Sequence, residues 1–163
     1  MKHDALGAAR LGVLLLLASC PGRWSKRQTD DFRARCEQTR TLSGLVIQLT
    51  GFEREEIENV EVKELVDGGV TDTFVVHVHD DGRDAVRKSY TASIDRVINV
   101  GSAYEFDVRS QQPYRLEQMR MVIWPQFSMT SEGWGCVMGD YVLDGRHFVN
   151  SANPSIVKRA PGG

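Results

Sequence analysis

His77 and His79 are the first side chains in this chain whose spacing could do chemistry. Alternate residues of a strand share a face, so the two imidazoles would project together, as a metal site requires. A third ligand is missing from the neighbourhood. Asp80, Asp81 and His147 qualify only if the fold brings them close, and a histidine pair on a solvent-facing strand is ordinarily polar surface, so no metal is assigned. Asp80-Asp81-Gly82-Arg83-Asp84 lacks the alternating oxygen ligands and closing glutamate of a calcium loop and reads as a turn. Gly-x-Ser-x-Gly, His-Glu-x-x-His and a glycine-rich phosphate loop are all missing from the sequence. That silence counts against the familiar hydrolases and nucleotide enzymes, and neither catalytic residue nor cofactor is assigned.

Aromatics form the second constellation. Trp124-Pro125-Gln126-Phe127 and Gly133-Trp134-Gly135 place three large rings near two expected loops, and exposed rings of this kind build surfaces that hold sugars or proteins. A domain of this size must also bury several aromatics. Trp124, if it ends a strand, is expected inside, whereas Trp134 between glycines is expected outside. Trp124, Phe127 and Trp134 are the candidate binding surface.

The third constellation is thiol chemistry, and it depends on where the chain resides. Lys2 and Arg10 precede an apolar run, Leu11-Gly12-Val13-Leu14-Leu15-Leu16-Leu17-Ala18, which gives way to Ser19 and Cys20. Charge, then an apolar core, then small residues is the layout of a secretory signal, although Asp4 is unusual ahead of the core. The run is far short of the ~20 residues that cross a bilayer as a helix. Leu17-Ala18-Ser19-Cys20 resembles the lipobox of bacterial lipoproteins. That resemblance covers the first twenty or so residues alone. It implies cleavage before Cys20, acylation of its thiol and new amino group, and a chain held to a membrane by lipid. Two or three acyl chains make desorption negligible. Pro21 stands where an aspartate would mark inner-membrane retention in enterobacterial lipoproteins, so the outer membrane is expected if the cell has two.

Export places Cys36 and Cys136 in an oxidising compartment, where they are the obvious disulfide pair once Cys20 is acylated. A metal site would want more ligands, and two free buried thiols are the other alternative. Removal of residues 1–19 leaves 144 of 163, the length of one domain. At 41% hydrophobic and 26% charged, with net charge −2 for the whole chain, the composition is that of a globular domain, with no basic field to attract nucleic acid.

These residues must be positioned by strands. Residues 20–29 show no apolar periodicity and read as a tether, and Trp24 among Arg23, Lys26 and Arg27 could lie on an anionic membrane or be plain solvated linker. Residues 45–49 are a β-branched run ending near Gly51, and 60–65 and 73–79 alternate as half-buried strands. Residues 53–56 read as loop, and 84–93 as a short helix or an edge strand. Residues 97–100 and 104–108 read as a hairpin or one kinked strand, and 116–124 as a strand closed by Pro125. Residues 129–135 are expected as loop, 141–149 as a hairpin on Asp144-Gly145, and 152–163 as a frayed tail.

Seven or eight short strands predict an all-β, antiparallel β-sandwich, immunoglobulin-like or transthyretin-like. The expected divisions are signal peptide 1–19, membrane tether and N-terminal extension 20–42, sandwich 43–150 and tail 151–163. The expectation for function is a lipid-anchored envelope protein, non-enzymatic, that binds or supports an envelope protein or polysaccharide. The alternative is an envelope enzyme of unrecognised type built on the loops.

Overall fold

The computed structural model describes residues 24–80, 88–109, 111–127, 132–151 and 153–160; at 80, 126, 127, 132 and 133 it describes the backbone alone. Cys20 and Asp81 lie outside these residues. The chain is all-β, as its alternating patterns predict, with eleven strands among the described residues: β1 Thr41–Leu42, β2 Leu45–Thr50, β3 Val60–Val66, β4 Gly69–Asp80, β5 Ser89–Ile94, β6 Ile98–Asn99, β7 Ala103–Asp107, β8 Tyr114–Phe127, β9 Glu132–Leu143, β10 Arg146–Phe148 and β11 Ser155–Val157. Helix α1 spans Lys26–Glu37 and the single turn α2 Arg54–Ile57.

Nine strands form one mixed sheet in the order β10-β9-β8-β7-β3-β4-β5-β2-β11, and β1 pairs with β6 in a second, small sheet. Every neighbouring pair is antiparallel except β11 with β2. The bend that makes two layers is built into β4. Its residues from Gly69 to Val76 pair with β3, and His77 to Asp80 pair with β5. Inward residues from both layers meet in one apolar cluster: Ile47 and Leu49 of β2 and Ile94 of β5 with Val62 of β3, Phe106 of β7 and Leu116 of β8. The strict alternation of burial along β2 is what a strand with one wet face requires.

Two turns follow their chemistry. Asp67-Gly68 and Asp144-Gly145 both have positive φ at each residue, the mirror-image turn that suits the twist of a hairpin. Gly139 is constrained differently: an added Cβ would stand 2.0 Å from Cγ2 of Val122 on the neighbouring strand, so any side chain there would force Val122 to move.

Residues 89–94 are neither helix nor edge: β5 lies between β4 and β2, with the small side chain of Ala92 and that of Ile94 buried. Arg54–Ile57 is a helical turn, closed by a Glu53/Glu56 capping box and pinned by fully buried Ile57. Ile98–Asn99 and Ala103–Asp107 form neither a hairpin nor one strand, since β6 joins β1 and β7 joins the main sheet.

Strand β8 continues through Pro125 to Phe127. β7 covers only Tyr114 to Leu116 of β8, so beyond that point the strand has β9 alone as sheet neighbour, and on such an edge the N–H that proline lacks is not needed by a second strand. The segment read as frayed tail contains β11, with Ile156 1% exposed in the core. The stretch read as tether becomes helical at Lys26.

Candidate functional site

The thiols have an unambiguous geometry. Cys36 and Cys136 are bonded, with Cα atoms 5.5 Å apart and a sequence separation of 100. The bond fastens the last turn of α1 to β9. Beyond the bond, α1 lies against β8 and β9 with little apolar burial, for Cys36 is its single buried residue and Phe32 is only half-buried. Local devices start the helix: the Ser25 side chain accepts from the Gln28 amide while Gln28 accepts from the Ser25 amide. Ion pairs Lys26–Asp30, Arg27–Asp31 and Arg33–Asp30 decorate the surface, too exposed to hold a helix by themselves. Trp24 folds back edge-on against Phe32 at 5.2 Å.

The candidate aromatic surface is divided by its own strand pairing. Trp124 is opposite Gly135 and Pro125 opposite Trp134, so the two indoles belong to successive registers and project from opposite faces of the β8–β9 ribbon. Trp134 shares its face with Cys136 and Met138, the side bonded to α1, and is half-buried. Trp124 has glycine across from it and is 40% exposed, the reverse of the burial expected for a strand end, because the strand does not end there. Phe127 closes β8 opposite Glu132.

His77 and His79 do share the outward face of β4, exposed, opposite Ser93 and Thr91 of β5. Asp80 ends that strand. His147 is on β10, at one end of the nine-stranded sheet and five places away from β4. Among the described residues no group of three His, Cys, Asp or Glu side chains is placed to hold a metal ion.

A further feature has no counterpart among the residues singled out by sequence. The two end strands of the sheet, β10 and β11, flank a cleft of about 680 Å³. Leu143, Phe148, Ile156 and Tyr114 give it an apolar floor, and Arg146, Lys158 and Arg159 stand at its rim. Two of those cations are committed to holding the C-terminal segment. Lys158 Nζ donates to both carboxylate oxygens of Glu56 at 2.7 Å, which lowers the Glu56 pKa. The Arg159 guanidinium lies 4.0 Å from the centre of the Tyr114 ring and donates to Asp144 at 2.6 Å, while its backbone N–H donates to the Tyr114 hydroxyl. Burial raises the Tyr114 pKa. The cleft is within the size range of small-ligand sites, and it combines an apolar floor with a cationic rim in which Arg146 has no ion-pair partner among the described residues. The sequence signal for it was faint: Ile156-Val157 between Ser155 and Lys158 is too short a run to read as a strand.

One buried polar cluster lies elsewhere, under the turn after β6. The Ser102 hydroxyl donates to Glu64 Oε1 at 2.6 Å and the Tyr104 hydroxyl donates to the same oxygen at 3.1 Å. The Asn99 amide in turn donates to the Tyr104 oxygen at 2.9 Å. Burial, with the Glu64 carboxylate beside it, pushes the Tyr104 pKa up to about 12. The cluster joins β3, β6 and β7 and serves the fold. Against this geometry, no family model, curated protein or solved structure matches the chain.

Proposed function

We propose that this chain is exported, cleaved before Cys20 and acylated there, and that its β-sandwich works at the membrane as a non-enzymatic binding or structural module of the cell envelope. In a cell with two membranes, the outer one is its site. The observation that carries the reading is the agreement of two independent features. Leu17-Ala18-Ser19-Cys20 has the composition of a lipoprotein processing site, and the domain after it contains a Cys36–Cys136 bond of the kind that persists in oxidising compartments. The partner class is an envelope protein or polysaccharide. Exposed Trp124 on the β8–β9 ribbon and the cleft between β10 and β11 are the two surfaces available to it.

Metabolic labelling with palmitate tests the anchor. Label in the full chain and its loss in Cys20→Ser, with the variant released to the soluble envelope fraction, is the expected result. Equal labelling of both, or none in either, would contradict it.

A further inference from the structure

We propose that the first turn of α1, with Trp24, Lys26 and Arg27, is a docking surface for anionic phospholipid headgroups, held against the bilayer by the short tether and by the Cys36–Cys136 bond. The inference rests on acylation of Cys20.

Reach keeps this turn at the membrane. Lys26 is six residues along the chain from Cys20, and at 3.3–3.6 Å each these steps span at most about 22 Å when fully extended. The helix rises ~1.5 Å per residue, so the Cys36 clamp is only about 15 Å further along. Because that clamp is covalently part of β9, the whole sandwich stays close to the membrane, not just a loose leader.

Charge placement favours an anionic partner. The positive end of a helix dipole is its N-terminus, where carboxylates stabilise and cations do not. Here the first turn contains no acid, and Lys26 and Arg27 occupy its first two positions. Their i,i+4 partners Asp30 and Asp31 follow them in the chain, the less favourable order on a helix. Both cations are almost wholly exposed, so exchanging an aspartate for a phosphate costs little. Helix stability therefore does not account for these residues, and an anionic surface does.

Trp24 precedes the N-cap, 36% exposed with its ring braced by Phe32, and indoles favour the headgroup layer. A cation near an anionic leaflet strengthens attraction roughly fivefold.

The test uses acylated mature protein reconstituted into vesicles of brominated phosphatidylcholine, with or without brominated phosphatidylglycerol. Mass spectrometry confirms the acyl chains in the same preparation. Subtracting the fluorescence of Trp24→Phe from that of the unaltered chain isolates Trp24 from Trp124 and Trp134. Expected is Trp24 quenching that is stronger with phosphatidylglycerol, relieved by salt, and stripped of its dependence on lipid charge in K26Q/R27Q. Glutamine is a good helix former and removes cations from the positive end of the dipole, so that variant retains α1, which circular dichroism checks. Acylated protein whose Trp24 is unquenched, or equally quenched in both lipids and indifferent to salt, overturns this proposal alone. An unacylated Cys20 overturns it together with the proposed anchor.

Discussion

Replacing both Cys36 and Cys136 by serine should leave a folded sandwich from which α1 has come loose. The bond closes a loop of 100 residues, and in the chain-entropy model a loop of that size stabilises the folded state by roughly 4.7 kcal/mol, with 2–5 kcal/mol the usual loss on removing a native bond. The local cost falls on α1. A polar helix of 12 residues is marginal on its own, and apart from Cys36 the fully buried cluster begins only at Leu45. The core is therefore intact when the helix leaves. At a urea dependence of about 2 kcal/mol per molar, the midpoint should fall by roughly 1–2.5 M. Far-ultraviolet circular dichroism should show helix lost before the main transition, and trypsin should cut after Arg33 and Arg35 while the sheet resists. An unchanged midpoint with α1 still protected would refute the reasoning, since it would mean that contacts other than the bond hold the helix.

Gly139→Ala should destabilise by about 1–3 kcal/mol through overpacking, because the new methyl meets Val122 at 2.0 Å; Val122→Ala in the same chain should recover much of the loss, and thermal melts of the single and double variants decide it. Ile156→Ala should cost about 2–5 kcal/mol, a value that a frayed tail would not show and that urea denaturation can measure. The Glu56 pKa is lowered by Lys158, so the pair contributes stability above the ordinary glutamate range that disappears as pH falls below about 4; Glu56→Gln should flatten that acid limb. Tyr104 has the opposite sign: with its pKa raised to about 12, folding is favoured below the ordinary tyrosine value and weakens as pH climbs from about 10. Absorbance at 295 nm should show Tyr104 ionising only with alkaline unfolding, and Tyr104→Phe should remove that component.

The strands with alternating burial were legible, since Ile47, Leu49, Val76 and Val78 mark an inward face without any tertiary information. Asp144-Gly145 announced its turn through a backbone need that few residues meet. Tertiary context decided the rest. Pro125 reads as a stop, yet β7 is too short to cover that part of β8, and the proline stays within the strand. β11 is three residues long and gains its place by pairing with β2 and burying Ile156, neither visible in so short a run. The cleft between β10 and β11 could not be read because it is made where the two ends of the sheet curl toward one another. Trp124 and Trp134 are ten residues apart and look like one surface; the register that puts Trp124 opposite Gly135 separates them.

Mass spectrometry of the protein purified from its own host tests the central claim most directly. The account predicts a mature N-terminus at Cys20 bearing acyl chains, no trace of residues 1–19, and a peptide pair joined through Cys36 and Cys136. An intact Met1 terminus, or an unmodified Cys20, would contradict it.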